Sequence, residues 1–443
     1  MKLYLYLLVF LVAFPCYSQN TIRGSFSPAA DYTWLIAYKL QADGQNYIED
    51  TRISKGKFSL KLPKDSPSGT YRLVYAVPQD EFYFDIIYNG KEDISLDFNT
   101  QSGLSFRDSR ENIIFQRYFR DIRLIEQEIQ AFYVSESKDK KHFAELTQQL
   151  SQTQQEYENA SEGLLVNLFI RSNAPYIPSG YESLEAFVSH RKHSYFKALE
   201  LDNPELQASG FLTDKLINFV FTALPLKHMD STETQHYMIE NAALLADHLK
   251  AVRSNYKLHL FYTLWSDTVA NGFQIVSDYL YNQHLKALAS EMQQNEIINQ
   301  IETHNRLRIG AIAPEIEWIS GKDFYKLSSL PENDKYLLVF WSSSCSHCLN
   351  ELPKLHEALL PNTGFTVIAV GLEDDDINWK KEAAKLSHFK HALALGKWES
   401  EYANLYAILQ TPTYFILDND KKIIAKPEDY EEVLEFIKAN SGP

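Results

Sequence analysis

Cys345 and Cys348 stand two residues apart in Ser344-Cys-Ser-His-Cys-Leu349, a spacing that carries a specific chemistry. Placed on the first turn of a helix, two such thiols share one face within disulfide reach, and closing the disulfide releases two electrons. The flanking sequence supplies that placement. Tyr336-Leu-Leu-Val-Phe-Trp341 is an unbroken apolar run that reads as a buried strand, and the segment from the cysteines through Leu360 reads as a helix. Cys345 then sits where strand gives way to helix. Unpaired backbone N–H groups and the helix dipole favour a thiolate there, so Cys345 is the expected attacking thiol and Cys348 the resolving one. A structural disulfide or half of a zinc site are the competing readings of such a pair. No second C-x-x-C exists, and His347, His388 and His391 form no recognised ligand spacing. Leu349 follows Cys348 where haem attachment requires histidine.

The compartment implied by the N-terminus agrees with redox use of the pair. Lys2, an apolar run from Leu3 to Phe14 and then Pro15-Cys16-Tyr17-Ser18 have the layout of a signal peptide cleaved after Ser18, residues 1–18 in all. Lipidation of Cys16 is the lesser alternative, because Pro15 precedes it where such signals take a small residue. Cleavage removes Cys16 and leaves Cys345 and Cys348 as the two cysteines of an exported chain, far from the density of a disulfide scaffold. The apolar run is too short for a bilayer core of about 30 Å, and no later stretch approaches the roughly 18 apolar residues of a membrane span. The 43 Lys and Arg against 58 Asp and Glu leave a formal charge of −15, the wrong sign for nucleic acid or an anionic membrane surface.

The 443 residues, 45% hydrophobic and 23% charged, suffice for several cored domains. From Thr21 to about Asp97 the apolar pattern has period two: Phe58, Leu60 and Leu62; Tyr71, Leu73, Tyr75 and Val77; Phe82, Phe84 and Ile86; Ile94, Leu96 and Phe98. Short strands with regular turn signals predict an antiparallel β-sandwich over residues 19–105. The period then becomes 3.6, with a stripe through Ile113, Ile114, Arg117, Tyr118, Ile122 and Ile125, further helical stretches, and a capping box of Thr232 with Gln235. Residues 106–305 are expected to be all-α. Residues 306–443 return to strands alternating with helices in the order β-α-β-α-β-α-β-β-α, which predicts an α/β domain with helices on both faces of one sheet.

In that last region, Val339-Phe-Trp-Ser-Ser-Ser-Cys-Ser-His-Cys-Leu-Asn-Glu-Leu-Pro353, followed by Gln410-Thr-Pro-Thr-Tyr-Phe415, resembles the thioredoxin-fold, TlpA/ResA-type envelope thiol–disulfide oxidoreductases. Ala313-Pro314, ahead of an added N-terminal strand, belongs to the same resemblance, which runs from about Arg308 to Asn440. The two preceding regions resemble the β-sandwich and helical segments of unknown role that often accompany such a domain.

The resemblance implies roles for particular residues. Trp341 corresponds to the aromatic residue beside the active-site helix, on the substrate side of the pair. Thr411-Pro412 corresponds to the X–cis-Pro dipeptide facing the cysteines, where backbone can bond an extended substrate. Glu351 corresponds to a carboxylate near the buried cysteine that can move a proton during resolution, and Pro353 to the proline that kinks the helix. Two positions depart from the pattern: Ser344 replaces the usual Trp, and Val339 stands where cytosolic thioredoxins bury an Asp. His347, inside the pair, can stabilise the Cys345 thiolate and raise the reduction potential.

The function expected is an exported thiol–disulfide oxidoreductase of the periplasm or cell envelope. It acts on protein thiols and disulfides, works as a reductase fed by a membrane electron donor, and needs no metal or organic cofactor beyond the cysteine pair. An oxidase or isomerase, favoured by His347, is the alternative within enzymes. A binding or assembly protein with a vestigial thiol site is the alternative outside them. Asp374-Asp-Asp376 reads as a solvated loop and helix cap, the many Tyr and Phe of the first two regions as core, and no nucleophile elbow, P-loop or dinucleotide-binding glycine motif is present.

Overall fold

The computed structural model describes residues 20–29, 31–331, 335–359 and 364–440. The expected signal segment, residues 1–18, lies outside them. The chain divides into two compact units that meet between Met292 and Gln293.

The first unit opens with eight strands: β1 (Thr21–Ser27), β2 (Trp34–Gln41), β3 (Gly44–Arg52), β4 (Lys57–Lys61), β5 (Gly69–Val74), β6 (Tyr83–Tyr88), β7 (Ile94–Asn99) and β8 (Gly103–Asp108). They form two four-stranded sheets, ordered β4-β1-β7-β8 and β3-β2-β5-β6. Alternation buries one side of β1, β2 and β4, and Ile22, Phe26, Leu60 and Leu96 of the first sheet join Leu35, Tyr71, Leu73 and Ile86 of the second in a single apolar cluster. One pairing departs from the expected antiparallel pattern: β1 runs parallel to β7, with Ile22 opposite Ile94 and Phe26 opposite Phe98. The chain reaches β7 only after crossing to the second sheet and back, so local turn signals gave no notice of it.

Helices α1 (Arg110–Val134), α2 (Lys140–Ala160), α3 (Val166–Ser172), α4 (Leu184–Ser194), α5 (Pro204–Gln207), α6 (Gly210–Thr222), α7 (Ser231–His248), α8 (Ser254–Ala270), α9 (Gln274–Leu280) and α10 (Lys286–Glu291) complete this unit, with a π-helical turn, Tyr281–Leu285, between the last two. Two side chains of α1 couple it to its neighbours. Asn112 accepts from Ile87 N and donates to Ile87 O, both at 2.8 Å, and so takes the place of a neighbouring strand along the edge strand β6. Glu111, buried, accepts from Val166 N at 2.8 Å and Leu165 N at 3.2 Å, capping α3, whose own N-cap residue Leu165 has no side-chain acceptor. The capping box expected at Thr232 is not formed. Asp230 is the N-cap of α7 and accepts from Glu233 N at 2.8 Å, while Gln235 accepts from Ile275 N instead.

The second unit begins with α11 (Asn295–Leu307) and the hairpin β9 (Glu317–Ser320) and β10 (Asp323–Lys326). There follow β11 (Lys335–Trp341), α12 (Ser346–Ala358), β12 (Phe365–Glu373), α13 (Ile377–Ala383), β13 (Lys390–Leu395), α14 (Glu401–Leu405), β14 (Thr413–Asp418), β15 (Ile423–Ala425) and α15 (Tyr430–Asn440). The sheet order is β13-β12-β11-β14-β15, with β11, β12 and β13 parallel and β14 and β15 antiparallel additions. The apolar run of β11 is continuous because both faces are covered. Tyr336, Leu338 and Phe340 enter one cluster, while Leu337, Val339 and Trp341 enter the other, beside Cys348, Leu352 and Leu355 of α12. Pro353 lies within α12, as expected. The C-terminal ends of β11 and β12 and the start of β14 thus converge on the start of α12.

Candidate active site

Cys345 is the N-cap residue of α12, with φ −89° and ψ 116°, and its Sγ accepts from the backbone N–H of Cys348 at 3.3 Å. A sulfur here fills the place a serine or aspartate oxygen usually takes, so the first-turn donors of the helix are spent on the nucleophile. Across from it, at the start of β14, the Thr411–Pro412 peptide is cis, and the Cys345 thiol donates to the carbonyl of Thr411 at 3.3 Å. Thr411 and Pro412 are half-buried and face the pair.

The two thiols differ in exposure and in acidity. Cys345 is partly accessible, whereas Cys348 is 0% exposed in the cluster under α12. Burial by itself would raise the Cys345 thiol. Hydrogen bonds from the Cys348 and Thr411 side chains and from the backbone N–H groups of Cys348 and His347 outweigh it and bring the thiol below its ordinary value. Cys348 moves the opposite way, pushed up to about 12 by burial first and then by its hydrogen bond with Cys345. The accessible thiol is thus the more acidic of the two and the buried one keeps its proton.

The loop that delivers Cys345 is held by a residue the sequence reading missed. Glu373, 5% exposed at the C-terminal end of β12, accepts from the backbone N–H of Ser343. Ser342 O accepts from Cys345 N at 3.1 Å, and Ser342 Oγ accepts from Ser344 N at 3.3 Å. The signal available was positional: a carboxylate ending a parallel strand next to the site strand, at the edge where open α/β sheets carry their sites.

Glu351 lies one turn beyond Cys348. A second missed residue, Tyr414, donates its hydroxyl to Glu351 Oε2 at 3.2 Å. Tyr414 is buried on β14 opposite Val339, in the cluster that holds Cys348. Burial and the neighbouring carboxylate hold its hydroxyl well above the ordinary phenol value, with the Cys348 sulfur among the smaller causes. The hydroxyl therefore stays protonated and is a standing donor to the Glu351 carboxylate.

Trp341 requires a correction. At 1% exposure, with its indole N–H buried and without an acceptor, it offers no face to a substrate and floors the site beneath α12. His347 lies exposed on the first turn of α12 and reaches Cys345 through its backbone N–H. Among the described residues, no three His, Cys, Asp or Glu side chains gather closely enough to hold a metal ion. Asp374 and Asp376 pair with Lys397 and Lys380, and Asp375 accepts from Ile377 N at 2.9 Å at the start of α13.

Residues 333–423 match the family model described as Thioredoxin-like. The C-terminal domain is a TlpA/ResA-like thioredoxin-fold domain. Two curated relatives, each a thiol-disulfide oxidoreductase ResA, come from Bacillus thuringiensis subsp. konkukian and Bacillus cereus, and each is 33% identical over 103 residues. The match takes in 22% of this chain and 58% of theirs. Among solved structures, the thioredoxin domain of a thiol-disulfide oxidoreductase from Bacteroides vulgatus is 25% identical, covering 31% of this chain and 99% of that one with a TM-score of 0.28. A domain of a possible thiol-disulfide isomerase from Cytophaga hutchinsonii is 30% identical, covering 30% and 92% with a TM-score of 0.27. A thioredoxin-like protein from Bacteroides caccae is 14% identical and covers 60% of this chain and 97% of that one, with a TM-score of 0.31. No helix among the described residues is long and apolar enough to cross a membrane.

Proposed function

We propose that this protein is an exported thiol–disulfide oxidoreductase of the cell envelope that reduces disulfides in protein substrates through Cys345 and Cys348. The observation that carries the reading is the opposed preparation of the two thiols: Cys345 accessible and lowered at the helix N-cap, Cys348 buried and raised one turn along. The Cys345 thiolate attacks one sulfur of a substrate disulfide. An enzyme–substrate disulfide forms, the substrate S–S bond breaks, and the first substrate thiolate leaves. Glu351, held by Tyr414, accepts the Cys348 proton, and the resulting thiolate attacks Cys345 Sγ. The second substrate thiolate departs, the enzyme ends as the Cys345–Cys348 disulfide, and two electrons have passed to the substrate.

The causes of the Cys345 shift support the reducing direction. They are hydrogen bonds, opposed by burial, and no cationic side chain is among them. A thiolate with no cationic partner lacks one source of the stabilised reduced form that marks strong oxidants. Turnover then requires a membrane electron donor for re-reduction, and the cysteine pair needs no metal or organic cofactor. The Thr411 backbone, facing the pair, is placed to bond an extended substrate segment. We read the two N-terminal sheets as a β-sandwich which, with its helices, selects or presents partners. Insulin reduction with dithiothreitol as the electron source tests the activity: wild type accelerates precipitation of the B chain, and C345S reduces the rate to the uncatalysed one. An unchanged rate in C345S contradicts the assignment.

A further inference from the structure

The first unit contains a cavity of about 520 Å³ between α1, α3, α6 and the β6 and β8 strands, within the roughly 300–1,000 Å³ of small-molecule sites. We propose that it binds a small monoanionic organic acid with a flat apolar body, the carboxylate paired to Lys215 and the body seated on a ring of four phenylalanines.

The ring is closed. Phe115 and Phe119 of α1 have centroids 4.5 Å apart, Phe119 and Phe211 are 5.9 Å apart, Phe211 and Phe169 5.5 Å, and Phe169 and Phe115 5.9 Å. Three of the four, Phe115, Phe119 and Phe211, remain only half-buried, so the quartet turns aromatic surface toward the cavity instead of spending it on core packing. A flat apolar group laid on such a surface recovers that area from water.

Lys215 supplies the charge. Its ammonium lies 5.2 Å from the Tyr195 ring and 5.9 Å from the Phe211 ring, and it donates to Asn173 Oδ1 at 2.8 Å. That amide is held in place: Asn173 Nδ2 donates to Tyr118 Oη at 3.3 Å, and Tyr118 donates to Gln154 Oε1 at 2.7 Å. The ammonium has three N–H donors and one acceptor among the described residues, and no carboxylate pairs with it. Glu126 is bonded to Arg191 at 3.2 Å, and the Asp214 carboxylate, next along α6, lies by Gly210 on the side of the Arg72–Asp85 pair. Burial lowers the amine to about 8, against a smaller opposing pull from Glu126, and a carboxylate in the cavity would relieve it. Lys215 is the one cation on the lining among the described residues, and the carboxylates of Asp214 and of Asp85, the latter paired with Arg72, line it as well, which disfavours the two negative charges of a phosphate monoester.

Calorimetric titration of the full chain with 3-phenylpropionate and its uncharged amide, 3-phenylpropanamide, tests the assignment. The acid is expected to bind at least tenfold more tightly than the amide. K215M is expected to abolish that preference while still binding the amide, which reports an intact cavity, and K215R is expected to keep it. Equal affinities for acid and amide, an acid preference that survives in K215M, or binding of neither probe below millimolar concentration overturns the proposal. If K215M does not fold, the wild-type and K215R ratios still decide it.

Discussion

The hydroxyl of Tyr414 donates to Glu351 Oε2 at 3.2 Å, and the Tyr414 side chain belongs to the buried cluster that holds Cys348. This bond ties the proposed proton acceptor of the resolving step to the central sheet, because Tyr414 is fixed opposite Val339 of β11. Removing the hydroxyl frees the carboxylate without touching Cys345. Y414F is expected to slow closure of the enzyme–substrate disulfide by roughly tenfold, a fraction of the 10²–10⁴ that general acid–base catalysis supplies, while the first attack keeps its rate. E351Q should slow the same step, and the double variant should cost little more than E351Q alone. Stopped-flow separation of the two steps checks this; slowing of the first step in Y414F contradicts it.

Reactivity toward iodoacetamide should separate the two cysteines along the pH axis. Cys345 is expected to react with a midpoint below the ordinary thiol value of about 8.5, and Cys348 to stay unmodified across the neutral range, as its thiol is pushed up to about 12. The linkage has a definite sign. An acid whose folded pKa lies above its unfolded one stabilises the fold below the unfolded pKa and loses that contribution as pH rises toward the folded one. The reduced protein should therefore lose stability between about pH 9 and 12, and C348A should lose less over that range. Urea midpoints across the range, wild type against C348A, provide the comparison.

His347 reaches Cys345 through its backbone N–H, with the imidazole at the exposed surface of α12. Replacing the side chain leaves that bond in place. H347A is expected to shift the equilibrium reduction potential in glutathione buffers by less than ~15 mV, below about 0.7 kcal/mol for a two-electron couple. A shift of more than roughly 30 mV toward more reducing values would show the imidazole stabilising the thiolate directly, which the oxidase or isomerase alternative requires.

Asn112 gives the first unit its own test. Its amide satisfies both the N–H and the C=O of Ile87 on an edge strand, and it is buried. N112A leaves two buried backbone groups without partners, at about 1–3 kcal/mol each, so a loss of roughly 3 kcal/mol in urea unfolding is expected. N112D keeps one acceptor and should fall between.

How much of this was legible in the sequence follows from how local each signal is. The unbroken run of β11, the cysteines at its end and the alternation of later strands with helices are local patterns, and from them the order of elements along the C-terminal domain and a candidate nucleophile could be read. Tyr414 and Glu373 act through contacts made only when β14 and β12 flank β11, and no spacing in one sequence encodes them. The parallel pairing of β1 with β7 is invisible for the same reason. The α7 cap was misplaced because Asp230 and Thr232 both stand at the head of a helical run, and Asp230, three residues before Glu233 as an N-cap must be, captured its N–H. Trp341 was placed on the substrate side by the resemblance alone, which gives its position beside the active-site helix and not whether that helix covers the ring.

Trapping of the enzyme–substrate disulfide bears most directly on the central claim. C348A and C345A are each mixed with an oxidised peptide carrying one intramolecular disulfide, quenched with acid and analysed by mass spectrometry. A stable covalent adduct on Cys345 is expected in C348A and none in C345A. Adducts in both variants at similar rates, or an adduct on Cys348 alone, would contradict the assignment of nucleophile and resolving thiol.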